Sequence, residues 1–129
     1  MQRYDYIQRV IEQLAAALAR IAGLRAEGKH DEALSEIQQT YVALELNPHL
    51  VRSLDAVSLA RLLRESERVQ GVARLLAEEA ELRALAGEPG VAVLLRRRAL
   101  GLCRALGPAS GGAVAELTAE LERRLESEV

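Results

Sequence analysis

Two groups of charged residues near the middle of the chain could bind a ligand or a partner. Glu78, Glu79 and Glu81 precede the turn-forming segment Gly87–Gly90, and three arginines at 96–98 follow it. Glu78 and Glu81 are spaced i,i+3, so on a helix their carboxylates share one face and could coordinate a hard cation. Because no histidine lies near them in the sequence, a solvated acidic helix face is the favoured interpretation.

The three consecutive arginines could hold a phosphate or a carboxylate of a partner. Successive helix residues point about 100° apart, so the three side chains cannot form one patch. If the helices on either side of the turn are antiparallel, the arginines face the glutamates across the seam, which favours salt bridges and solvation. Should this hairpin line a groove, the predicted partner-binding residues are Arg96, Arg97, Glu78 and Glu81.

The other reactive residue types do not form a catalytic set. His30 and His49 lie beside predicted helix ends, where surface or capping roles are favoured over a metal pair. Cys103 is the single cysteine, which excludes an internal disulfide, and its place among apolar residues predicts a small buried hydrophobe. With no glycine-rich phosphate loop and no nucleophile–base motif, we predict no catalytic residue, no metal ligand, no cofactor and no enzymatic activity.

The composition is typical of helices. The chain contains 23 Leu and 22 Ala among 129 residues, but only three Tyr and no Phe or Trp. Leu and Ala favour helices, whereas β-branched and aromatic residues favour strands, so the composition argues against a sandwich, a barrel or a Rossmann sheet. A net charge of −2 and the scarcity of aromatic rings argue against nucleic acid as a partner.

Short apolar runs and a charged N-terminal stretch predict neither a membrane span nor a signal peptide, and a cytoplasmic protein is the expectation. The 16 Arg against one Lys favour a GC-rich bacterial source.

Apolar spacing predicts the helices that position these residues. The first covers about residues 4–27 and the second runs from Asp31 to Asn47-Pro48. A short helical turn near 50–54 and a helix capped by Asp55 or Ser53 follow, then a long helix through Leu85. The next runs from about 90 to 106 with Leu94 inward, and a last helix covers about 112–128. Tyr41 is expected to pack with its hydroxyl at the rim.

At two turns the sequence resembles the helical hairpins of tetratricopeptide-repeat (TPR) proteins. In that family a Gly ends the first helix, Ala residues follow at +5 and +12, and a Pro closes the unit. Gly87, Ala92 and Ala99 match this spacing, and Gly28 and Ala33 match its first part. The region 4–106 is also similar to a small family of uncharacterised bacterial TPR-like proteins, through its segments Asp5–Leu14 and Leu75–Leu82.

The sequence departs from that pattern in three places. Thr40 stands at the +12 position of the first hairpin, and Pro48 comes about three residues late, which predicts an overlong second helix. Gly28 and Gly87 are 59 residues apart, whereas TPR units recur every 34 or so. The resemblance implies antiparallel hairpins in a small right-handed array of six or seven helices, and it implies no reaction.

These observations predict one all-helical domain over residues 1–129, with the last helix as a cap or an oligomerisation element. The predicted function is non-enzymatic protein–protein interaction or self-association, as a homo-oligomer or with another protein. The alternative is a helical bundle that binds a small ligand or a metal. A faint helix-turn-helix pattern at residues 58–72 is disfavoured for DNA, because Glu65 and Glu67 would repel phosphates.

Overall fold

A computed structural model describes residues 3–107 and 110–127. The described residues form seven helices and no strand, which confirms the all-α prediction and the expected number of helices. The helices are α1 (Arg3–Ala26), α2 (His30–Ala43), α3 (Pro48–Ser53), α4 (Ala56–Leu63), α5 (Ser66–Leu85), α6 (Pro89–Leu106) and α7 (Gly112–Ser127). Pro108 and Ala109 of the predicted break before α7, and residue 128 at its predicted end, lie outside the described residues.

The chain divides into two compact units between Ser53 and Leu54. In the first unit, α1 packs against α2 as a hairpin, and α2 also contacts α3. In the second unit, α6 packs against α4, α5 and α7. The single domain over 1–129 and the right-handed array of hairpins stay predictions.

Three helices end in the same backbone motif. Gly28, Glu45 and Gly87 have φ angles of 76°, 61° and 81°, which lie in the left-handed region. In each case the next residue donates its N–H to a carbonyl five positions back, as Leu46 does to Tyr41 at 2.9 Å. This is the Schellman arrangement, in which carbonyls at the helix end find backbone partners.

The second helix is shorter than the sequence predicts. It ends at Ala43, not at Asn47-Pro48, so the prediction of an overlong second helix is wrong. The reason is the turn at Glu45, whose backbone adopts a positive φ. A glutamate in the sequence gives no indication of such a turn, because glycine usually fills this position. Pro48 instead begins α3, and the side-chain Oδ1 of Asn47 accepts a hydrogen bond from the N–H of His49 at 2.9 Å.

Replacing Glu45 with glycine is expected to raise the free energy of unfolding by about 0.5–1 kcal/mol. Glycine adopts a positive φ without the steric cost that a Cβ atom adds, and that gain exceeds its extra entropy in the unfolded chain. Urea denaturation of Glu45→Gly and Glu45→Ala measures this. If alanine stabilises as much as glycine, the carboxylate and not the backbone is the source of the effect.

The start of α4 confirms the predicted cap. Asp55 accepts hydrogen bonds from the N–H and the Oγ of Ser58, both at 2.9 Å. These hydrogen bonds favour the ionised carboxylate and hold the pKa of Asp55 below its usual value. The cap therefore fixes the first turn of α4, the shortest helix in the second unit.

Buried leucine, isoleucine, valine and alanine form the cores of the two units. Tyr41 is fully buried, so the expectation of a hydroxyl at the rim is wrong. Leu94 is exposed although it was expected inward, and Leu85 at the end of α5 is exposed as well. Helix geometry explains the difference for Leu94, because it lies about 140–160° around α6 from the buried residues Ala92 and Ala99.

Candidate functional site

Arg96 lies inside the second unit and not on its surface. The residue is 2 % exposed, and its guanidinium Nη2 lies 3.4 Å from Oε1 of Glu81. The same carboxylate oxygen lies 3.2 Å from Nη2 of Arg124. Glu81 of α5 therefore pairs with both Arg96 of α6 and Arg124 of α7.

Glu79 is buried, although the sequence predicts a solvated acidic face here. It is 0 % exposed, and its Oε2 lies 3.3 Å from both Nε and Nη2 of Arg83. The Nη1 of Arg83 also bonds Oε2 of Glu88 at 3.2 Å. The signal was present in the sequence, because Glu79 follows Val72 and Leu76 at the i+7 and i+3 positions of the buried stripe of α5.

The four predicted partner-binding residues do not form one surface. Arg97 is exposed, Glu78 and Glu81 are half-buried, and Arg96 is buried. Within this set, the structure brings Arg96 and Glu81 together in an ion pair. Arg97 is thus the one residue of the four that is exposed to solvent.

Cys103 is buried, as its surroundings in the sequence predict. It lines a groove of about 400 Å³ between α6 and α7, together with Val114, Thr118 and Ala119. Burial raises the pKa of the thiol, and a hydrogen bond with Thr118 offsets part of that rise. The raised pKa favours the neutral thiol, which packs as a small apolar side chain.

Metal-ligating side chains are dispersed in this fold. Across residues 3–107 and 110–127, no three His, Cys, Asp or Glu side chains are grouped so that they could hold an ion. His30 begins α2, and His49 is exposed in α3.

The long helix α1 carries exposed apolar residues beside its buried stripe. Val10, Leu14, Ala17 and Ile21 form its buried stripe. Ile11 is 41 % exposed, and Tyr4 is 75 % exposed. We define the apolar shoulder of α1 as its exposed residues Tyr4, Ile11, Ala15, Ala19, Ala22 and Ala26.

The apolar shoulder carries no charge along the whole helix. At about 100° per residue, the members of the shoulder lie within an arc of roughly 80° around the helix. Gln8 lies in the same arc and is uncharged. The other exposed side of α1 carries Asp5, Arg9 and Arg20. Of the shoulder residues, only Ile11 belongs to the apolar spacing that predicts this helix, and it lies about 60° around α1 from Leu14 of the buried stripe.

No protein-family model, no curated protein and no solved structure matches this chain. None of the described helices combines the length and the apolarity that crossing a bilayer requires.

Proposed function

We propose that this chain is a non-enzymatic helical interaction module that self-associates through the apolar shoulder of α1. The single observation that carries the proposal is an exposed, charge-free stripe on a helix of 24 residues, about 36 Å long. Contiguous apolar surface left open to water is typical of interaction sites. The packing of α1 against α2 and of α5 against α6 as helical pairs is consistent with the TPR-like resemblance.

A second copy of the chain is the partner that this surface fits. A two-fold dimer brings identical patches together, so the patch must be complementary to itself. A stripe of alanines flanked by Tyr4 and Ile11 meets this condition, since it brings no like charges into contact and its small side chains allow helices to approach closely. A patch of one charge sign could not pair with itself in this way.

A glutamate introduced into the apolar shoulder tests the proposal. Wild-type protein is expected to sediment as a concentration-dependent dimer, and Ala15→Glu as a monomer, because pairing would bury two carboxylates. Ala16→Glu is the matched control, since Ala16 is the adjacent exposed alanine on the charged side of the same helix. Circular dichroism verifies that both variants are folded.

Two results would overturn the proposal. One is a wild-type protein that stays monomeric at every concentration, and the other is an equal loss of association in both variants. A hetero-partner captured by cross-linking from both variants alike would also place the interaction surface elsewhere.

A further inference from the structure

A second feature of the molecule is a groove between α4, the start of α5 and the end of α6. Its volume is about 530 Å³, which lies within the range of sites for small organic ligands. The groove belongs wholly to the second unit. The residues that shape it include Val57, Ala60, Arg61, Arg64, Val69 and Leu106.

The groove carries positive charge that the protein leaves unneutralised. Arg61 and Arg64 are both exposed, and neither guanidinium pairs with an acidic side chain in the part of the chain that the structure describes. The nearby acidic residues do not line the groove: Glu65 pairs with Arg68, and Glu67 accepts a hydrogen bond from Ser66. An anion in the groove would therefore meet two guanidinium groups and no competing carboxylate.

Apart from the two arginines and Ser66, the groove is lined by apolar side chains. Val57 is 57 % exposed although it is a large aliphatic residue, and it stands beside Ala60 and the half-buried Leu106. Val69 is buried beneath them. Val57 and Arg61 are spaced i,i+4, so one face of α4 offers both an aliphatic contact and a charge, and Arg64, the residue after the helix, also lines the groove.

The backbone at Arg64 is held in a strained conformation. Its φ and ψ angles are 73° and −67°, and the N–H of Glu65 donates to the carbonyl of Leu63 at 2.9 Å. This is a γ-turn of the positive-φ type, which is rare for residues with a side chain. Glycine would adopt this backbone with less strain, so arginine here contributes its side chain at a cost to the fold.

We propose that this groove binds an aliphatic carboxylate of medium chain length. The two guanidinium groups of Arg61 and Arg64 hold the carboxylate, and the alkyl chain lies along Val57, Leu106 and the buried Val69. Arginine matches a carboxylate with paired N–H donors, and the apolar side chains remove the alkyl chain from water. The helix α4 has eight residues and is about 12 Å long, which suits a short chain better than a docked helix.

Titration with decanoate, followed by NMR shifts and calorimetry below its micelle concentration, tests the site. Decanoate is expected to bind saturably with shifts at α4 and the end of α6. Acetate lacks the alkyl chain, and decyltrimethylammonium carries the opposite charge, so neither should bind. Equal binding of decanol would overturn the proposal, because the guanidinium groups would then contribute nothing.

Two variants separate binding from folding. Arg64→Gly removes the guanidinium and relieves the backbone, so it should weaken decanoate binding about tenfold or more without a loss of stability. Arg61→Met should weaken binding similarly, whereas Arg97→Met, an exposed arginine of α6 outside the groove, should not. Unchanged binding in Arg61→Met and Arg64→Gly, or binding of an acidic peptide in place of decanoate, overturns the assignment. These outcomes are independent of self-association through α1.

Discussion

Replacing Arg83 with methionine is expected to lower the free energy of unfolding by about 3 kcal/mol. Arg83 places two guanidinium nitrogens 3.3 Å from a carboxylate oxygen of Glu79, which is fully buried in α5. Methionine keeps much of the aliphatic stem but removes the charge. The buried carboxylate then loses this neighbouring cation in a medium that solvates charge poorly.

A double-mutant cycle with Glu79→Gln isolates the interaction. Glutamine is nearly isosteric with glutamate and uncharged, so Arg83→Met should cost much less in the glutamine background. Glu88→Gln is the control for the exposed partner of Arg83, and its expected cost is below about 1 kcal/mol because water screens that pair. Equal costs of Arg83→Met in both backgrounds, measured by urea denaturation, would show that Glu79 does not depend on this arginine.

The helices could be predicted from the sequence because their ends carry local signals. Gly28 and Gly87 stop α1 and α5, Asp55 caps α4, and Pro89 begins α6, as expected. The end of α2 could not be predicted in this way. Glu45 takes the left-handed position that glycine usually fills, and nothing in an acidic side chain indicates that the backbone turns there.

Burial of individual side chains was harder to predict than the helices themselves. A pattern of apolar residues marks one face of a helix, but the width of the buried face depends on how many neighbours pack against it. Helix α5 contacts α4, α6 and α7, so its buried face widens to include Glu79. In α1 the buried face is narrower than the apolar pattern, which leaves Ile11 exposed. The predicted partner-binding set failed to form one surface for the same reason, since Arg96 lies in the widened core.

Replacing Gly101 with alanine is expected to lower the free energy of unfolding by about 1–2 kcal/mol. A Cβ atom on Gly101 would lie 2.5 Å from Cβ of Ala56, far inside van der Waals contact. The helix α4 would have to move away from α6, and that loss exceeds the gain that alanine brings to a helix interior. The same substitution at Gly23, where nothing lies within 4 Å, should instead raise the free energy of unfolding by about 0.5–1 kcal/mol.

The two substitutions are expected to change the free energy of unfolding in opposite directions, and this difference reports the close contact between α4 and α6. Ala56→Gly removes the atom that clashes, so it should restore stability in the Gly101→Ala background. If Gly101→Ala stabilises the protein as Gly23→Ala does, the close approach of the two helices is absent in solution. The result also bears on the groove, because Arg61 stands on α4 and Leu106 on α6. If α4 moved away from α6, Arg61 would lie farther from the apolar side chain of Leu106. Gly101→Ala should therefore weaken decanoate binding although Gly101 does not line the groove.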